Sequence, residues 1–174
     1  MIQSIQDALH SFAVWLVGLV GLGEACANYV YVLFISMVPI IELRGAMPAA
    51  SILGLPFFPS LVVAIIGNLI PVPFILFFIK AVCGWMKKRD NLKKIPLYLE
   101  KKVEKNKEKV IKYGKWGLYL FVAIPLPGTG AWTGALIASF LNFKNKDSFI
   151  AIAGGVVTAG VIMTAISYLP RLIF

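Results

Sequence analysis

The sequence is poor in the groups that most catalysis uses. Among 174 residues it has one histidine, His10, two cysteines, Cys26 and Cys83, and only eight Asp and Glu residues. The cysteines stand far apart in apolar context with no CxxC pair, so neither a metal site nor a disulfide framework is expected. No GxxxxGK[ST] occurs, and ATP hydrolysis by this chain is not expected. An intramembrane enzyme would need a nucleophile with its base, paired acids or metal ligands at depth. One histidine and one deep acid do not supply them, so the reading is no enzyme and no cofactor. The start also lacks a positive n-region, because the first ten residues contain Asp7 and no Lys or Arg. Ser11 to Gly23 followed by Ala25-Cys26-Ala27 is therefore read as a retained N-terminal helix rather than a cleaved signal. It is short for a span, and both an interfacial and a crossing placement stay open.

What the chain has instead is apolar length. It is 59% hydrophobic with a mean hydropathy of +0.84, and uncharged runs cover 25–41, 45–79, 116–143 and 148–170. A run of about 18 or more apolar residues is long enough for a helix to span hydrocarbon. An all-α integral membrane protein is expected, with 1–174 as a single membrane domain. The net charge of +9 is concentrated: 12 of the 17 Lys and Arg residues lie within 87–115, against four acids. A basic block between hydrophobic runs reads as a cytoplasmic loop, and nucleic-acid binding is not expected. Within it Leu92, Ile95, Leu99, Val103, Val110 and Tyr113 form one helical stripe. The linker is read as an amphipathic helix, either along the inner membrane surface with its lysines near anionic head groups or as a solvated charged helix.

On either side of the linker the chain follows one plan twice. MVPIIELRGAMPAA at 37–50 and AIPLPGTGAWTGAL at 123–136 are apolar segments broken by proline, and AIIGNLIPVP at 64–73 resembles AIAGGVVTAG at 151–160. Each arm of the second broken segment is too short to cross a core about 30 Å thick, and a re-entrant hairpin would return Lys144 and Lys146 to the cytoplasm. The expected organisation is 1–27 as an N-terminal helix, 28–86 as repeat 1, 87–115 as linker and 116–174 as repeat 2. Each repeat would pair a re-entrant hairpin with a transmembrane helix, and the two would be inverted relative to each other. Inverted repeats with broken helices are common in secondary transporters.

The candidate site follows from that plan, with tips at 39–45 and 125–131 expected to meet near the midplane. Glu42 and Arg44 are ionisable groups in an apolar segment, where such residues are costly and usually functional. Arg44 offers a fixed cation for an anionic group and Glu42 a carboxyl able to carry a proton; a structural ion pair is the plainer alternative. In the second tip Gly128 and Gly130 permit unusual backbone, Thr129 adds a hydroxyl, and Trp132 is a wall of the site or core packing. Asn68, three residues before Pro71, is read first as a cap for carbonyls freed by the prolines. Lys80 is expected to snorkel, and Trp85 and Trp116 to anchor at the interface.

ELRGAMP at 42–48, GNLIPVP at 67–73 and PLPGTGAWTGALIA at 125–138 together resemble the small multidrug export protein family of bacterial membrane proteins, over roughly Asn28 to Pro170. That family is distantly similar to the DedA membrane proteins, which implies two facing re-entrant hairpins and a link to lipid carrier movement and proton-dependent physiology. The charged residues that DedA proteins carry in the second hairpin are absent here. The resemblance implies a multi-pass transporter of the bacterial cytoplasmic membrane, moving an amphipathic small molecule or a phosphorylated lipid carrier with proton or gradient coupling. Its partners would be the bilayer and that substrate, with a homo-oligomer left open. The rival function is a membrane scaffold or assembly factor without transport activity.

Overall fold

The computed structural model describes residues 2–20, 24–88, 94–126 and 128–173, and among these every regular element is a helix. In chain order they are α1 (Ile2–Val20), α2 (Glu24–Met37), α3 (Glu42–Ile52), α4 (Phe57–Leu69), α5 (Pro71–Lys87), α6 (Lys94–Ile111), α7 (Gly114–Ala123), α8 (Ala131–Phe140) and α9 (Asn145–Ile173). The breaks fall where the sequence lacks helix donors or adopts left-handed backbone. Pro39 follows α2, Pro71 opens α5 one residue after α4 ends, and Gly128 and Gly130 lie between α7 and α8.

Two stretches are long and apolar enough to cross a membrane: Phe57–Lys87, counted through the single break at Ile70, and Asn145–Pro170. Along the first, Phe58, Val62, Ile66, Ile70, Phe74, Phe78 and Val82 are all exposed, one at every fourth position. Apolar side chains left open at that spacing on each side of the break suit hydrocarbon and not water. The chain is a membrane protein.

It divides into two compact units. The first holds Met1–Asn68 with Gly160–Phe174, the second Leu69–Ala159. This division does not follow the expected bounds 28–86 and 116–174, because residues 69–86 fall in the second unit and α9 gives its early part to one unit and its later part to the other.

In the first unit α1 packs on α2 and α2 on α3. Val32 and Ile35 of α2, and Leu43, Ala46, Met47 and Ala50 of α3, are buried. Gly67 of α4 meets α2 so closely that a Cβ would stand 2.1 Å from Ser36 Oγ and 2.5 Å from the Leu33 carbonyl oxygen. Small residues let helix backbones approach in this way where lipid supplies little drive for association. The later part of α9 is tied in by polar bonds: Ser51 Oγ donates to the Ser167 carbonyl at 2.9 Å and Tyr168 OH to the Leu55 carbonyl at 3.0 Å.

In the second unit α8 is buried from Thr133 to Ser139 without interruption, as befits a helix apolar all round. It packs against α5, α6 and α7. Gly155 of α9 presses on α7, where a Cβ would come 2.8 Å from the Tyr119 carbonyl oxygen. Helix α6 buries Pro96, Val103 and Val110 within this unit, while Ile95 and Tyr113 of the expected stripe are exposed. Val103 and Val110 of that stripe are thus the buried contacts of α6, joined by Pro96 beside them, where the helix packs on α5, α7 and α8. Leu92 and Arg89 lie outside the described residues.

Candidate functional site

The first broken segment is a tight turn built without glycine. After α2, Val38 N–H bonds the Ile35 carbonyl at 3.2 Å, and Glu42 N–H reaches back over the turn to the Val38 carbonyl at 3.1 Å. Two residues pay for that geometry in strain, since Ile40 has φ 85° and Glu42 φ 48°. The left-handed region costs a side-chain-bearing residue about 1–2 kcal/mol, and a β-branched residue there is a clear outlier. Gly45 has a plainer role, because a Cβ there would strike Ile41 Cγ2 at 2.1 Å.

Glu42 opens α3 and is only 5% exposed. A carboxylate in a helix's first turn is favoured by the N-terminal end of the helix dipole. Arg44, two residues on, is half-buried, and the Glu42 charge acts on its guanidinium. Pro48, four residues after Arg44, cannot donate the usual helix bond to the Arg44 carbonyl. Asn68 lies in the same unit at the end of α4, 1% exposed, its Oδ1 without a hydrogen-bond partner among the described residues.

The second broken segment uses other means. Ile124 leaves α7 in an extended conformation, and Leu126 N–H folds back onto the Ile124 carbonyl at 2.8 Å. Thr129 Oγ1 stands 2.8 Å from both the Ile124 and the Leu126 carbonyls and accepts from Leu126 N–H at 3.2 Å. The hydroxyl that the sequence offered to a ligand is thus engaged with its own loop. Gly128 (φ 87°) and Gly130 (φ 121°, ψ −178°) take backbone that other residues avoid. Helix α8 then starts with a 2.8 Å bond from Gly134 N–H to the Gly130 carbonyl. Trp132 is partly exposed in its first turn, and Pro127 lies outside the described residues.

Glu42, Arg44 and Asn68 therefore belong to the first unit, and Gly128, Thr129, Gly130 and Trp132 to the second. Lys80 departs from simple snorkelling: its ammonium donates to Asn142 Oδ1 in the turn after α8. Asn142 holds a left-handed conformation there (φ 58°), with Phe143 N–H on the Ala138 carbonyl at 3.0 Å and its own N–H on the Ser139 carbonyl at 3.1 Å. That turn needs glycine or asparagine, and asparagine alone adds an acceptor for the lysine. Nothing in the local sequence pattern joins positions 80 and 142. Trp85 and Trp116 are exposed, as interface anchors would be.

A family model described as "Putative small multi-drug export protein" matches residues 42–162, from Glu42 at the start of α3 through the second broken segment and into α9. No curated protein and no solved structure matches. The matched region is well over half of the chain, and the protein belongs to the small multi-drug export protein family.

Proposed function

We propose that the chain is an exporter in the bacterial cytoplasmic membrane, with the first broken segment as its working part. The passenger is an amphipathic molecule with an anionic group, either a drug-like solute or a phosphorylated lipid carrier. Arg44 grips the anion, and Glu42 carries the coupling proton. On this reading the basic linker, 87–115, faces the cytoplasm. Asn68, in the same unit as Glu42 and Arg44, supplies a buried amide.

One observation carries the reading: a carboxyl that is 5% exposed sits at a helix start in left-handed backbone, two residues from a strained isoleucine. Strain of this kind persists where surrounding structure enforces it and collects at functional sites. An anion arriving at Arg44 weakens the arginine's hold on Glu42, which then takes a proton more readily; substrate and proton are coupled by competition for one cation.

The test uses full-length protein in liposomes, with a fluorescent amphipathic anion and a short polyprenyl phosphate as probes. Wild type should move at least one probe, faster under an imposed pH gradient, whereas Glu42→Gln should still carry it without that acceleration. A mutant that responds to the gradient like wild type removes Glu42 from coupling. Failure of wild type to move either probe removes the anionic export reading itself.

A further inference from the structure

Two pockets in the second unit abut at the start of α9, sharing Lys115 and Asp147. One, of ≈ 280 Å³, is bounded also by Lys144 and Ser148; the other, of ≈ 290 Å³, continues along Trp116, Tyr119 and Ile150.

The first pocket is polar. Lys115, Lys144 and Asp147 are exposed, and none of the three is engaged in an ion pair among the described residues. Ser148 is 1% exposed, and its Oγ has no hydrogen-bond partner among the described residues. A buried hydroxyl is normally satisfied, so an open one in a pocket wall points to a missing polar group that a turn about χ1 would let it reach. Two ammoniums beside a carboxylate outline a zwitterion, with cations for a phosphodiester and an anion for an amine.

The second pocket is aromatic and apolar. Trp116 is 67% exposed and meets Tyr119 edge-on, with ring centroids 6.2 Å apart. The tyrosine hydroxyl is already bonded to Thr158 Oγ1 at 2.8 Å, so it is the ring that faces the pocket. The chain changes character at this point, from Lys144, Lys146 and Asp147 to an uncharged run over 148–170 within the candidate span Asn145–Pro170. Such a boundary is where lipid head groups stand and where Trp and Tyr collect.

We infer that the joined pockets hold one aminophospholipid of the bilayer. Its phosphodiester lies between Lys115 and Lys144 within reach of Ser148, its ammonium faces Asp147, and an acyl chain runs along Trp116, Tyr119 and Ile150. A free phosphate ester would use the polar pocket and leave its aromatic neighbour empty. The site concerns a resident lipid, so it stands apart from the identity of any exported passenger.

Full-length protein in mild detergent, offered equal amounts of phosphatidylethanolamine and phosphatidylglycerol, should retain the former preferentially when bound lipid is counted by mass spectrometry. Lys115→Gln with Lys144→Gln should lower retention about tenfold or more. The control pair Lys94→Gln with Lys101→Gln, equal in charge loss but outside the pockets, should retain lipid as wild type does. Asp147→Asn should keep phospholipid but lose the preference for the amine. Soluble glycerophosphoethanolamine should not displace the lipid. Normal retention in the Lys115 and Lys144 variant, equal loss in the control pair, or an unchanged preference in Asp147→Asn overturns the proposal. Displacement by the soluble head group reassigns the site to free phosphate esters. If the double lysine variant does not fold, the preference measured in Asp147→Asn decides alone.

Discussion

The two broken segments interrupt apolar stretches by opposite chemistry. Between α2 and α3 the turn contains no glycine, puts Ile40 and Glu42 into left-handed backbone and buries a carboxyl. Between α7 and α8 the positive-φ positions among the described residues are the glycines 128 and 130, the one side-chain hydroxyl is engaged with its own loop, and no charge is present. Past the turns the likeness returns. Two residues past α3 the chain turns at Gly54 (φ 72°) with Leu55 N–H on the Ala50 carbonyl at 3.0 Å, and two residues past α8 it turns at Asn142 (φ 58°) with the equivalent bond from Phe143. α3 and α8 close alike, whereas the turns before them differ. Shared geometry with divergent tip chemistry suggests that the second tip is relaxed and the first holds strain and charge.

The largest expected effect comes from taking the charge out of the first tip one residue at a time. Arg44→Gln removes a positive charge that acts on the buried Glu42 carboxylate, and taking away one of two opposite buried charges costs several kcal/mol. Because Arg44 is only half-buried, the loss should be about 3 kcal/mol in unfolding free energy, read from melts in detergent. Adding Glu42→Gln should recover most of it, since neither charge is then left alone. If the double variant is as unstable as the single one, the two charges act independently and the contrast between the tips is not one of charge.

The second tip should be sensitive to shape instead. Gly130→Ala asks a methyl-bearing residue to hold φ 121° with ψ −178°, a region almost confined to glycine, at a cost of about 1–3 kcal/mol. Gly128→Ala should cost less, because open space surrounds the new methyl and only the φ of 87° resists it. Equal melting temperatures for wild type and Gly130→Ala would show that this tip is not fixed by its glycine.

Most of the helices and both breaks could be read from the sequence, since prolines and glycines punctuate otherwise uncharged runs. The expected tips at 39–45 and 125–131 overlap the observed interruptions at 38–41 and 124–130. The linker helix expected from the stripe is α6, and Val103 and Val110 of that stripe are buried while Ile95 is exposed, because periodicity gives a face and the packing neighbours choose how far along it burial runs. The bonds from the Thr129 hydroxyl to two loop carbonyls were not legible, because that spacing exists only in the folded turn. The bond from Lys80 to Asn142 crosses 62 positions and leaves no periodic trace. Least legible was Ile40, for a β-branched residue is among the last that local preference would place at positive φ.

That residue gives the smallest and most pointed test of the difference between the tips. Ile40→Gly removes a left-handed strain of about 1–2 kcal/mol. Glycine's greater freedom in the unfolded chain offsets about 0.5–1 kcal/mol of that gain. The side chain is 78% exposed, so little packing is lost. The net expectation is a stabilisation of roughly 0.5–1 kcal/mol, a rise in melting temperature in detergent, where most substitutions lower it. Ile40→Val, equally branched at Cβ, should give no rise. If strain at this turn holds Glu42 in its working position, the stabilised glycine variant should also transport more slowly under a pH gradient. A glycine variant less stable than wild type would mean that Ile40 stores no strain, and the first tip would then be as relaxed as the second.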